Sequence, residues 1–307
     1  MISAQDGFLF ETSKNKISIP FEVYNNLIVI PIEINGAKLK FLLDTGIKES
    51  ILFSVNDSNE INFSQVEKIK IRGFGEDEPF DGYKSINNTI KIKDYVDKNH
   101  ILYLILNQDI NISTQVGIPI NGIIGYYFFK NNLVKINYET KKITVYKNEK
   151  KQIKKIKKSY FKTDLDFINS KPYLNAQIKI SDTSKITSSK LLVDTGNSDA
   201  LWIFKNKIKN FTLPKVTFND FLGRGFSGDV FGDRARINSV SLGNYNFQNP
   251  LIAFPSINNL SQLTISDERV GSIGSEILRR FTIYYYYQGN EMYVKSNAAK
   301  IDNHFNL

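Results

Sequence analysis

The same short run occurs twice in this chain, 150 residues apart: Phe41-Leu42-Leu43-Asp44-Thr45-Gly46 and Leu191-Leu192-Val193-Asp194-Thr195-Gly196. Other features repeat in the same order. Arg72-Gly73-Phe74-Gly75 follows the first copy, and Gly223-Arg224-Gly225-Phe226-Ser227-Gly228 follows the second. Next come Gly122-Ile123-Ile124-Gly125 and Gly271-Ser272-Ile273-Gly274, each followed by an aromatic stretch and a strand pair. Four features in order at nearly one period imply two homologous lobes. We place an N-terminal lobe at residues 1–150 and a C-terminal lobe at 151–307, each of an ordinary domain size.

Most segments between these landmarks read as strands. Leu27–Ile34 (LIVIPIEI) and Lys38–Leu43 are apolar runs joined by Asn35-Gly36, a strong hairpin signal. Leu174–Ile180, Lys190–Val193, Ile237–Leu242 and Leu251–Phe254 repeat that style in the second half. Helical periodicity is scarce, and the best helix candidates are brief, at Gly125–Lys130 and Ser275–Phe281. The class is therefore all-β. The lysine run Lys147–Lys158 reads as a solvated connector between lobes. The run Tyr284–Tyr287 is expected to alternate between core and solvent.

Composition excludes much chemistry. There is no Cys, which removes thiol nucleophiles, thiolate metal sites and disulfides. The two His residues, His100 and His304, are too few for a His-based zinc hydrolase, so no metal site is expected. His100 is expected to be structural or exposed, near a turn. The net charge of +9 reflects lysine spread along the whole chain, so a nucleic-acid partner is not expected. No run of 18 apolar residues occurs to suggest a transmembrane segment.

Asp44 and Asp194 each end an apolar, strand-like run. One such Asp alone reads as a turn or cap residue. A matched pair in two related lobes has another meaning, because a two-fold axis between the lobes brings equivalent loops together. Carboxylates about 3 Å apart cannot both ionise cheaply, so they share one proton. The ionised member can then act as a base toward water, and the protonated member can polarise a carbonyl. In this arrangement Thr45 and Thr195 brace the two loops. Gly46 and Gly196 permit the turn and offer N–H groups to the carboxylates. Gly125 and Gly274 let apolar segments pass close behind.

This pattern resembles the pepsin and retropepsin-like aspartic peptidases. The resemblance rests on both Asp-Thr-Gly copies and both apolar-apolar-Gly elements, and spans roughly residues 20 to 296. It looks closest to single-chain, two-lobed bacterial retropepsin-like proteins, some of which carry a C-terminal PDZ domain; none is expected here. The resemblance implies a bilobal, β-barrel-like acid-protease fold with its active site between the lobes. It implies an endopeptidase with Asp44 and Asp194 as catalytic residues, a catalytic water and no other cofactor. The partner would be a peptide or protein in the interlobe cleft, and the active unit a monomer. It further implies an extracytoplasmic location in a Gram-negative bacterium, with a leader absent from this sequence.

One departure stands out. The residue after Asp-Thr-Gly is usually Ser, Thr or Ala in that family, but here it is Ile47 and Asn197. Ile47 has no hydroxyl to offer Asp44, whereas Asn197 or Ser198 has polar atoms for Asp194. The pair is therefore expected to be electrically lopsided. A weakly active or inactive peptide-binding homologue is the alternative reading. A two-carboxylate glycosidase is a third, but the duplicated motif gives no reason for it. The glycine-rich segments read either as hairpin tips or as flaps over a bound peptide. The flap candidates are Gly73, Phe74 and Gly75 in the first lobe, and Gly225, Phe226, Ser227 and Gly228 in the second. Trp202 is expected to pack beneath the second loop or line a subsite.

Overall fold

The computed structural model describes residues 7–53, 61–71, 80–105, 113–147, 149–209, 211–225, 228–256 and 268–297. These form a bilobal, pepsin-like all-β fold. A nine-stranded sheet takes all its strands from between Leu9 and Ile124, and a ten-stranded sheet takes its strands from between Asp166 and Ile273. A six-stranded sheet joins the two halves, in the order Phe161–Asp164, Glu291–Ser296, Phe281–Tyr286, Leu133–Asn137, Lys142–Tyr146, Lys16–Pro20.

The local sequence explains how each sheet reaches the site. Leu27–Ile34 and Ala37–Leu43 pair antiparallel across Asn35 and Gly36, whose φ angles of 48° and 93° suit a tight hairpin turn matched to strand twist. The second strand ends directly at Asp44. Gly122–Ile124 lies parallel beside Phe41–Leu43 and antiparallel to Ile51 and Leu52. It thus runs between the two arms of the loop carrying Asp44. The second lobe repeats this frame, with Gly271–Ile273 parallel to Leu191–Val193 and antiparallel to Leu201–Ile203.

Glycine is required where these strands leave the loops. A Cβ at Gly125 would lie 2.3 Å from the Ile47 carbonyl oxygen, and one at Gly274 would lie 2.3 Å from that of Asp199. Both contacts are far inside van der Waals range. The short helices Tyr126–Phe129 and Ser275–Leu278 follow at once, as the sequence implies.

The joining sheet is cemented by aromatic packing. Val134 pairs with Tyr285 across the lobe boundary, and Phe129 packs on both Tyr285 and Tyr287 with ring centroids 5.2 Å apart. Two expectations are corrected here. Within Tyr284–Tyr287 only Tyr286 is partly exposed, because both faces of the run are covered: Tyr285 and Tyr287 join the main core, and Tyr284 and Tyr286 the cluster of Leu133, Ile153 and Ile156. The lysine run is not merely a solvated connector either. Glu149–Ile156 forms a helix whose Ile153 and Ile156, one turn apart, are buried against Leu133, Tyr284 and Tyr293.

Candidate active site

The two Asp-Thr-Gly loops meet through a reciprocal set of hydrogen bonds. The Thr45 N–H donates to Thr195 Oγ1 at 3.0 Å, and the Thr195 N–H donates to Thr45 Oγ1 at 3.0 Å. Each hydroxyl also donates across the axis: Thr45 Oγ1 to the Val193 carbonyl at 2.7 Å, and Thr195 Oγ1 to the Leu43 carbonyl at 2.8 Å. Both threonines are fully buried. Threonine suits this place because one hydroxyl can accept and donate at once.

Asp44 and Asp194 are held by matching backbone bonds. The Asp44 N–H donates to the Ile124 carbonyl at 2.9 Å, and the Asp194 N–H to the Ile273 carbonyl at 3.0 Å. Gly46 N–H donates to Asp44 Oδ1 at 2.6 Å, and Gly196 N–H to Asp194 Oδ1 at 3.2 Å. The carboxylates also crowd the opposite glycines. A Cβ on Gly46 would lie 2.8 Å from Asp194 Oδ1 and 3.1 Å from Asp44 Oδ1, so one point touches both carboxyl groups. A Cβ on Gly196 would lie 2.3 Å from Asp44 Oδ2. No side chain fits at either position.

Burial dominates the electrostatics of the pair. Asp44 is buried, and desolvation together with the charge of Asp194 pushes its pKa up to about 7, against the pull of Gly46 N–H, Lys171 and Gly196 N–H. Desolvation raises Asp194 as well, but Arg269, Lys171, Gly196 N–H and Ser272 oppose it. Two carboxyls this close titrate as a pair rather than singly.

The residues following the motif do not supply these differences. Ile47 packs against the apolar cluster of the first lobe. Asn197 Oδ1 accepts from the Asp199 N–H at 3.0 Å, while its buried Nδ2 has no partner among the described residues. The polar groups beside Asp194 are Arg269 and Ser272, which the sequence reading missed. Ser272 left a signal, since it replaces Ile123 in the second of the two matched Gly-x-Ile-Gly elements, whereas Arg269 left none.

Asp199 links the second loop to the hairpin formed by Thr217–Gly225 and Gly228–Arg236. Trp202 Nε1 donates to Asp199 Oδ2 at 2.6 Å, Arg234 Nη1 donates to Asp199 Oδ1 at 2.7 Å, and Arg234 Nε donates to Asp220 Oδ2 at 2.6 Å. Leu222 and Val230 pack beside Trp202 from the same hairpin. Gly225 and Gly228 pair at its tip. The other flap candidates, Gly73, Phe74, Gly75, Phe226 and Ser227, lie outside the described residues. The lobes also touch directly: Asn26 Nδ2 donates to the Ser198 carbonyl at 3.0 Å and to Glu276 Oε2 at 2.9 Å.

A second constellation of serine, histidine and aspartate lies in the first lobe. His100 is bonded to Ser50 Oγ through Nε2 and to Asp97 Oδ2 through Nδ1, both at 2.7 Å. All three residues are sealed in the core, with Asp97 the most exposed at 3%. No substrate reaches that serine, so the group is a structural network joining Ser50–Phe53 to Tyr95–Ile105. His100 lies within a strand rather than at its edge. Among the described residues no helix is long and apolar enough to cross a membrane, and no cluster of three metal-binding side chains occurs.

The fold is similar to that of a solved aspartic proteinase from Irpex lacteus. The TM-score is 0.57 with 11% sequence identity, covering 94% of this chain and 99% of that one. At that identity the likeness defines the fold class alone: a pepsin-like aspartic-proteinase fold. No protein-family model and no curated protein matches the chain.

Proposed function

We propose that the protein is an aspartic endopeptidase that uses Asp44 and Asp194 to activate water against a peptide bond. The observation that carries this reading is the reciprocal Thr45–Thr195 grip, which brings both motif loops of one chain to a common point. One ionised carboxylate takes a proton from water as it attacks the scissile carbonyl. The protonated partner donates to that carbonyl oxygen, and the pair then returns a proton to the leaving amine. Neither step needs a metal or organic cofactor.

An extended peptide would lie between the lobes. The hairpin tied to the second loop by Asp199 and Arg234 supports a covering role over it. Since both loops belong to one chain, a monomer would carry the whole site. The test is digestion of a peptide library across a range of pH, read by mass spectrometry. Internal cleavage at reproducible sites supports the proposal. Absence of cleavage at every pH, with specific peptide binding retained, would leave a non-catalytic peptide-binding protein on the same fold, the reading that Ile47 favours.

A further inference from the structure

Around the carboxylates the lobes stop matching. Strand register sets the equivalences. Val29 lies opposite Leu42 as Tyr173 lies opposite Leu192, while Gly122 and Gly271 lie opposite Phe41 and Leu191. Corresponding positions therefore carry Leu27 and Lys171, Val29 and Tyr173, Ile120 and Arg269, Ile123 and Ser272. In the first lobe all four are buried members of one apolar cluster, against which Ile47 packs. In the second lobe the same four places hold two cations, a phenol and a hydroxyl.

Arg269 is the most consequential of these. Its guanidinium lies over the Phe204 ring, 5.1 Å from the centroid, and is half-buried. Nε donates to the Gly271 carbonyl at 3.2 Å, and Nη2 donates to Ser272 Oγ at 2.6 Å. Among the described residues no carboxylate forms an ion pair with it. A guanidinium drawn partly out of water is costly unless an anion is near. The anion whose field it feels most is Asp194, with Asp44 weaker. Ser272 Oγ, which accepts the bond from Arg269, stands beside Asp194 and favours its charged form, though no hydrogen bond of ordinary geometry joins them.

The other groups facing the pair do not separate its members this way. Lys171 acts on both carboxylates in the same direction. Tyr173 is kept neutral mainly by burial, as is Tyr287, which faces Asp44. Gly46 N–H serves Asp44 as Gly196 N–H serves Asp194. Asp44 has no counterpart to Arg269, since Ile120 occupies that position.

We propose that Arg269, together with Ser272, is a positioning residue that fixes the pair's single proton on Asp44 and keeps Asp194 ionised. Asp194 is then the group that takes the proton from water, and Asp44 the group that donates to the carbonyl. Those two chemical roles rest on the endopeptidase reading; the location of the proton does not.

The test is a carbon-13 NMR titration of the two carboxyl groups in wild type, Arg269→Met and Arg269→Lys, with circular dichroism as the folding control. In wild type the Asp194 signal should move with the first deprotonation of the pair and the Asp44 signal with the second. Arg269→Met should raise the Asp194 transition by about one pH unit or more and close the gap. Arg269→Lys, which keeps the charge, should restore most of the separation. For an active enzyme, the acid limb of the cleavage profile should move with the Asp194 transition. An Asp44 signal that titrates first in wild type overturns the proposal, as does an Asp194 transition unmoved in folded Arg269→Met. If Arg269→Met does not fold, the wild-type order alone decides. A wild type that cuts no peptide yet titrates in the stated order removes the peptidase reading and supports the proton placement.

Discussion

Beside the Asp44 loop lie Leu27, Val29, Ile120 and Ile123; at the same places beside the Asp194 loop lie Lys171, Tyr173, Arg269 and Ser272. The contrast reverses deeper in the lobes. The first buries the polar set Ser50, Asp97 and His100, whereas strand register puts Leu201 and Pro250 at the places of Ser50 and His100 in the second. Backbone geometry survives both exchanges. What the lobes share is the set of bonds that shape the loop, and those run mostly through main-chain atoms and two threonines. Side chains one layer away are free to diverge, and divergence there changes charge without changing shape.

The largest effect should come from the carboxylates themselves. Asp44→Asn and Asp194→Asn should each lower peptide cleavage at least about a thousandfold, because an amide is neither the base nor the acid of the pair. Circular dichroism should show the fold intact. A folded variant that still cuts at about a tenth of the wild-type rate would sink the assignment.

Stability against pH should then expose the burial of the pair. A carboxyl whose folded pKa lies above its unfolded value binds its proton more tightly in the fold. The raised pKa of Asp44, about 7, therefore favours folding below about pH 4. That contribution is withdrawn as pH rises through 7, and is at most on the order of 4 kcal/mol. Urea midpoints of wild type should fall across this window, and those of Asp44→Asn should fall much less. Parallel curves for the two proteins would contradict the electrostatic account.

The threonine grip offers the sharpest test of what is symmetric. Thr45→Val and Thr195→Val each leave a buried N–H and a buried carbonyl without their partner, at about 3 kcal/mol. The two losses should be equal within experimental error, and serine at either position should recover most of each. Clearly unequal urea midpoints would show that the surroundings reach into the grip as well.

The smallest effect belongs to the first lobe's network of Ser50, His100 and Asp97. Ser50→Ala removes one hydrogen bond to His100 and should cost about 1–2 kcal/mol. Cleavage should be unchanged under conditions where the variant is folded, since this network does not touch the carboxylates. A lost activity without lost stability would give it a role that its burial argues against.

Much of the frame was legible because its signals are local. Asp-Thr-Gly after an apolar run places a carboxylate at a strand end, and glycine marks where two backbones come closest. The repeat itself implies the two-fold arrangement. Elements whose neighbours come from elsewhere were read less well. The lysine run became a helix because Ile153 and Ile156 found Leu133, Tyr284 and Tyr293 to cover them. The tyrosine run alternates between two covered faces, Tyr285 and Tyr287 toward the main core and Tyr284 and Tyr286 toward the cluster that holds Ile153 and Ile156.

The amino-acid sequence by itself determined the two matched Asp-Thr-Gly loops and the glycines behind each, since each depends on residue type at short range. Only the tertiary structure decided what surrounds each carboxylate. Arg269 is 75 residues beyond Asp194 in the chain and becomes its neighbour because Gly271–Ile273 lies in register beside Leu191–Val193. Charge acts through space at low dielectric rather than along the chain. The electrical difference between two nearly identical loops is therefore written in strand register, where the Asp-Thr-Gly motif itself does not reveal it.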